Sequence, residues 1–360
     1  MNIAHVLFDP EPKYTGKEIF LILKGGRGIP GLGLAFFIAV ISYFLGKTAN
    51  VLDVLVLSLI VGIAVRFLIR NNDYLVKLFY PGILIAPIIF IPLGLVFYGI
   101  KNLNFLEFFY INPEYIALEI LVVIAFFLSI ILLGKLLKMK REITYLTATG
   151  SGVCGASAII ITSPAVSAEP DDISVSLISV FIAALLGFFV IFPAIAKALG
   201  MDNLIYALFS GMVMQFTGFV KLAVDTMPVN IPIVISQQSA VSIALSVKAA
   251  RYLGLLIAIP LFATIIKKRV YLPWFLWVFL IAGIAGSFIA INGISLSVAA
   301  ASVVKPIYTF LWASAMAATG LNADLKVFLS KTGVKCLIMA CGGLAAAILV
   351  FLFGIMFMGF

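Results

Sequence analysis

Charge is what this sequence has least of. Only 11% of its 360 residues are Asp, Glu, Lys or Arg, while 64% are apolar. A soluble domain carries about a quarter charged residues, so a soluble enzyme or a disordered chain is excluded. The mean hydropathy is +1.23. Histidine is reduced to one, His5, which lies outside every apolar stretch. That removes a histidine-based metal cluster and a nucleophile–base pair. The three cysteines, Cys154, Cys336 and Cys341, all sit in apolar stretches and imply no disulfide framework. No phosphate loop is present. Gly150-Ser151-Gly152 has no histidine partner in the membrane and is no nucleophile elbow. The deepest acid is Glu119, about a turn and a half inside its apolar stretch. No aspartates pair at mid-membrane, which argues against a cation/proton exchanger of the paired-carboxylate type. The expectation is a protein that is not an enzyme and needs neither cofactor nor metal.

What is present is apolar length. Residues 1–29 read as a cytoplasmic leader, with a short interfacial helix over Gly16–Leu23. Eleven apolar stretches follow, at 30–46, 51–69, 81–100, 114–134, 143–163, 172–196, 203–220, 236–266, 272–291, 302–320 and 332–358. This predicts an all-α polytopic membrane protein with about 11 transmembrane helices. The net charge of +9 reflects topology rather than nucleic-acid binding. With the N-terminus cytoplasmic, alternate loops hold 18 basic residues inside and 4 outside. The expected location is the cell membrane, with the C-terminus external. The partners expected are the bilayer, a small anion and, for some arrangements, a second copy of the chain.

Eleven reads as a leading helix, 30–46, and two sets of five, 51–196 and 203–358. A duplicated odd-numbered unit inserts in opposite orientations, as in many secondary transporters. The clearest internal match, Ser179–Pro193 against Ser246–Pro260, has six identities in fifteen positions. It pairs the sixth stretch with the eighth, which a five-helix repeat does not need, so it reads as apolar low complexity.

Two stretches hold candidate chemistry. Lys248 and Arg251 lie in the eighth, and the reading above places them at no membrane surface. Lys248 is roughly 18 Å along a helix from Ser236, near the middle of a hydrocarbon core of about 30 Å. Basic residues at that depth mark a functional site by default. Gln237, Ala244, Lys248 and Arg251 share one helical face, and Ser239, Ser242 and Ser246 the opposite one. One alternative starts the span at Ala249, so that the pair snorkels at the outer surface. Another makes the pair structural, bound to a buried carboxylate. In the fifth stretch, Gly150, Gly152 and Gly155 predict a helix break. A half-helix starting near Cys154 would aim N–H groups at an anion, with Ser151 and Ser157 adding hydroxyls. The alternative there is a small-residue packing face. In the tenth stretch, Trp312–Gly320 is rich in small residues, and both a break and close packing are open.

Gly150–Ile159, Val247-Lys248-Ala249-Ala250-Arg251 and Ala315–Leu321 resemble motifs of the YeiH-type family of bacterial and archaeal membrane proteins, often labelled sulfate exporters. The resemblance runs from about Pro30 onward. It implies membership of the cation/proton antiporter and anion transporter clan, with discontinuous helices crossing at the midplane, here the fifth and tenth stretches. The family usually shows a His–acid pair in the seventh stretch. Here Gly211 is followed by Gln215, Phe216 and Phe219, so coupling through such a pair is in doubt. Gln215 joins the candidate substrate-binding set of Lys248, Arg251, Ser151, Gly152, Cys154, Gly155, Ser157 and Gln237. The expected function is secondary transport of a small anion, with export driven by the membrane potential. Alternatives are a proton- or sodium-coupled organic-anion carrier, an anion channel and a non-transporting scaffold.

Overall fold

The computed structural model describes residues 26–48, 53–102, 112–228, 231–268, 274–291, 298–323 and 325–358. The interfacial helix expected at Gly16–Leu23 lies outside them. Helix is the only regular secondary structure among the described residues. In chain order the helices are α1 (Ile29–Thr48), α2 (Val54–Ile69), α3 (Asp73–Asn102), α4 (Pro113–Leu136), α5 (Arg141–Thr149), α6 (Ala156–Thr162), α7 (Pro170–Leu186) and α8 (Phe192–Leu199). They continue with α9 (Asn203–Val213), α10 (Thr217–Asp225), α11 (Gln237–Ala250), α12 (Tyr252–Lys267), α13 (Trp274–Ile291), α14 (Val298–Asn322), α15 (Leu325–Phe328) and α16 (Lys331–Met358). Wider π-helical turns span Gly150–Cys154 after α5 and Gly187–Ile191 between α7 and α8. Among the described residues, six runs are long and apolar enough to cross a membrane: Ile29–Gly46, Asp73–Gly99, α4, Pro170–Leu199, Gln237–Lys267 and α16. The protein is a polytopic membrane protein.

The chain divides into two compact units. The first contains α1, α2, α3, α13 and α14. Its organising helix is α14, which packs on α1, α2 and α3. Close approach explains the small residues of the tenth stretch: a Cβ on Gly320 would fall 2.2 Å from the Leu59 carbonyl oxygen, and one on Gly62 2.4 Å from that of Ala317. The buried Trp312 donates its indole N–H to the Ile91 carbonyl at 3.1 Å. The tenth stretch is therefore one continuous helix, not a broken one. No glycine precedes Gly320 within the stretch, and its alanines are the strongest helix formers.

The second unit contains α4, α5, α6, α8, α9, α10, α11 and α16, with most of α7 and the start of α12. Here the fifth stretch doubles back. Ser176 of α7 hydrogen-bonds Thr147 and the Ile143 carbonyl, each at 3.4 Å. Three residues beyond Thr147 and four beyond Ser176, a Cβ on Gly150 would lie 3.4 Å from Val180. α7 thus runs parallel to α5, and the chain between must return. The reversal falls at Gly155 (φ +68°, ψ −126°), a conformation open to glycine alone. α6 then packs on α5, with Ile159 against Gly150.

The seventh stretch does the same. Asn203 at the start of α9 holds Val234 and Ile235 through its side chain. Gly211 abuts Ala244, and Lys248 reaches the Met214 carbonyl, so α11 runs parallel to α9. α10 supplies the return, with Val224 near Gln237 and Thr217 near Tyr252. Its turn is extended backbone at Met214–Phe216. The legs α9 and α11 each need about 11 residues, roughly 16 Å, to reach that turn, half of a core of about 30 Å.

Each hairpin is followed by a helical run parallel to its first leg, α7–α8 after the first and α11–α12 after the second. Phe192 of α8 stacks on Phe209 of α9 at 4.2 Å, so α9 runs back along α8. The two hairpin-plus-span motifs therefore run in opposite directions. The doubled-back stretch stands fourth within 51–196 but first within 203–358, and the partner of the broken fifth stretch is the seventh, not the tenth. The eighth stretch also departs from expectation: it is interrupted at Arg251, whose N–H turns to the Lys248 carbonyl at 3.3 Å. No glycine or proline marks that position.

Candidate functional site

The two hairpin turns meet inside the second unit. A Cβ on Gly155 would lie 2.9 Å from the ring of Phe216. Phe181 of α7 packs edge-on against the same ring, with centroids 5.5 Å apart. Beside these turns lies the basic pair. Lys248 is 0% exposed and Arg251 1% exposed, which rules out snorkelling at an outer surface. α11 builds this because Ala240, Ala244, Val247 and Lys248 form its buried stripe, at the expected helical spacing.

Lys248 Nζ donates to the Met214 carbonyl, an acceptor freed because Met214 leaves the helix of α9. Arg251 Nε donates to Glu119 Oε1 of α4 in a buried salt bridge. The guanidinium carbon also lies 5.4 Å from the centroid of Phe126. Glu119 and Phe126 share the buried face of α4 with Val122 and Ile130, a spacing of three, four and four residues. Lys248 sits in the electrostatic field of Arg251, Glu119 and Cys154. Val153 lies 3.8 Å from where a Cβ on Gly254 would stand. The first hairpin turn, the second hairpin turn, α4 and the α11–α12 junction thus surround one centre.

The hydrogen-bond inventory of this unit is incomplete in a specific way. Arg251 Nη1 and Nη2, Glu119 Oε2, Ser151 Oγ and both amide atoms of Gln215 are buried with no hydrogen-bond partner among the described residues. Gln215 is 0% exposed and lies within the second turn, next to Met214. Buried polar atoms are nearly always satisfied, so several orphans in one unit point to a ligand or to water.

Other candidates are placed elsewhere. Gln237 is exposed and donates to the Val224 carbonyl at 2.6 Å, about 16 Å along α11 from Lys248. Ser157 is half-buried on α6, past the reversal. Gly152 serves packing, since a Cβ there would fall 2.8 Å from Phe127. The anion cradle expected from the broken fifth stretch is also reduced. Gly155 N–H is spent on the Gly150 carbonyl at 2.8 Å, and α6 is only 7 residues long. A buried carboxylate partner was open from the sequence only as an alternative and not assigned to Glu119, and the second turn carried no local signal. Glu119 was the deepest acid in the chain, which was the available signal.

The fold and site define the class: a multi-pass membrane protein with a buried basic centre at the turns of two opposed helical hairpins. The family described as Conserved hypothetical protein 698 matches residues 30–340, and the chain belongs to it. It is 26% identical over 312 residues to a UPF0324 membrane protein of Archaeoglobus fulgidus, covering 85% of this chain and 86% of that one. It is 28% identical over 327 residues to a UPF0324 membrane protein of Staphylococcus epidermidis, covering 86% and 91%. A Streptococcus agalactiae UPF0324 membrane protein is 26% identical over 322 residues, covering 86% and 92%. No solved structure matches.

Proposed function

We propose that the protein is a secondary transporter of a small anion, an inorganic oxyanion or a small organic acid, and neither an enzyme nor a scaffold. The observation that carries this reading is the state of Arg251. A guanidinium buried to 1% gives one nitrogen to a carboxylate and leaves its two terminal nitrogens unpartnered. That fork matches an oxyanion in two-point geometry. Lys248 adds a second basic group, and Gln215 and Ser151 add neutral donors. Binding at the turns of opposed, broken helices fits the inverted-repeat logic of secondary carriers. For an anion carried without a compensating charge, an interior at −100 mV favours exit by about 2.3 kcal/mol per charge.

The salt bridge to Glu119 also favours a second reading, a purely structural ion pair in a non-transporting protein. Thermal melts of the purified protein against formate, acetate, nitrate, phosphate and sulfate separate the two. The carrier reading expects at least one anion to raise the melting temperature, and Lys248→Met to weaken that rise at least tenfold in concentration while still folding. A structural pair expects no anion-specific rise in the wild type, which overturns the carrier reading.

The membrane topology of the carrier follows from parity. Two doubled-back stretches remove two crossings, so only the α7–α8 span between them reverses, while the other spans keep their orientation and the C-terminus stays external. Moving Lys197 outside turns 18 against 4 basic residues into 17 against 5, still strongly asymmetric. The turn after α6 and the turn after α8 exchange sides relative to an eleven-span path. Cysteines replacing the exposed Ser167 and Leu199 are thus expected to react with a membrane-impermeant thiol reagent from the cytoplasmic and external faces respectively. The reverse pattern restores eleven crossings.

A further inference from the structure

The centre contains one acid, and it is bound in an unusual way. A guanidinium and a carboxylate commonly pair fork to fork, with two parallel N–H···O bonds. Here a single bond joins Arg251 Nε to Glu119 Oε1. Glu119 Oε2, Arg251 Nη1 and Arg251 Nη2 are all left over. All of these atoms are buried, and Glu119 is 2% exposed. The carboxylate holds the edge of the guanidinium while the rest of the fork stays open.

We infer that Glu119 is a tethered stand-in for the oxyanion of the substrate: when a monovalent anion docks on Arg251, Glu119 takes up one proton and releases the guanidinium, so each anion is bound together with one proton. This rests on the anion-carrier reading and adds its coupling. Before docking, Arg251 carries a positive charge and Glu119 a negative one. The anion takes the place of the carboxylate, and a proton from solution forms one O–H bond on Glu119. The charge of the centre is the same before and after, whatever the protonation of Lys248.

The proton is required by burial. A carboxylate that loses its only cationic contact without regaining water is strongly disfavoured, and protonation removes the penalty. Nothing else in its surroundings can replace Arg251 without itself moving. On the elements packed against α4, the titratable groups are Lys248 and Arg251 on α11 and at its end, Cys154 in the first hairpin turn, and Tyr206 on α9. Arg141, Glu142 and Tyr145 lie at the start of α5, near the opposite end of α4. Along α16, Lys331 and Lys335 lie at the start and Cys336 and Cys341 follow, while the part against the Glu119 end, where Gly354 meets Leu118, has no titratable residue. Lys248 is already committed to the Met214 carbonyl.

The consequence is a carrier step that moves no net charge with a monovalent anion. Flux then follows the anion and pH gradients and ignores the membrane potential. A divalent anion entering the same centre leaves it one unit more negative, so monovalent oxyanions are the favoured class.

The test is proton counting on the purified full chain in weak buffer with a pH indicator. Formate, acetate, nitrate and sulfate are added as sodium salts at matched sodium, with binding followed in parallel by thermal shift. The wild type is expected to take up about one proton per anion bound, with affinity falling about tenfold per pH unit once free Glu119 is ionised. Glu119→Gln is expected to bind the same anion with no proton uptake and no pH dependence. Anion binding by the wild type without proton uptake overturns the inference and leaves the carrier reading intact. So does undiminished uptake by Glu119→Gln. Absence of binding by all four anions to the wild type overturns both. If Glu119→Gln fails to fold, Glu119→Asp decides: one-proton uptake with a displaced pH midpoint supports the inference, and pH-independent binding overturns it.

Discussion

Arg251→Met is expected to lower stability by about 3–5 kcal/mol, because it leaves the buried carboxylate of Glu119 without the guanidinium that pairs with it. Its measurable form is a large fall in melting temperature, or failure to fold. A second change, Glu119→Gln, removes the orphaned charge and is expected to restore most of the loss. The double variant separates folding from function. A folded Arg251→Met, Glu119→Gln protein should bind no anion and transport none. Arg251→Lys gives an intermediate case: it keeps a positive charge opposite Glu119 but loses the planar fork, so it should fold better than Arg251→Met and bind weakly. Normal anion flux by the folded double variant removes Arg251 from the site and, with it, the basis of the proposed function.

Gly155→Ala is the second large effect. The position has φ +68° and ψ −126°, which an L side chain adopts at a cost of about 1–3 kcal/mol. The added methyl would also stand 2.9 Å from the Phe216 ring. Both hairpin turns are displaced by such a substitution, so transport is expected to fall at least tenfold even where the protein still folds. Phe216→Ala in the same chain relieves the collision but not the backbone strain, and only part of the stability should return. Full recovery by the double variant would mean that Gly155 is a packing residue and that the reversal of the chain does not depend on it.

The helical class, the membrane and the basic pair were legible because each leaves a local mark: long apolar runs and two charges far from any surface. The break at Gly155 was legible for the same reason. The turn at Met214–Phe216 carries no glycine or proline, and its geometry comes from contacts distant in sequence: Lys248 on the Met214 carbonyl, Asn203 on Val234 and Ile235. A doubled-back stretch and a crossing one have the same composition, so hydropathy cannot separate them. Charge asymmetry could not either, because two reversals cancel. The match of Ser179–Pro193 with Ser246–Pro260, set aside as low complexity, joins the spans that follow the two hairpins. The matched segments and the starts of the helical runs, Pro170 and Gln237, share one offset of 67 residues.

That same alignment sets Phe181 opposite Lys248 and Ala184 opposite Arg251. Phe181 meets the second hairpin turn through the ring of Phe216, and Lys248 meets it through the carbonyl of Met214. One short piece of backbone is thus gripped by aligned positions of the two spans, one apolar and one cationic, which act as a wall and an anchor. If the centre holds an anion as proposed, that anion meets a different chemistry on each flank.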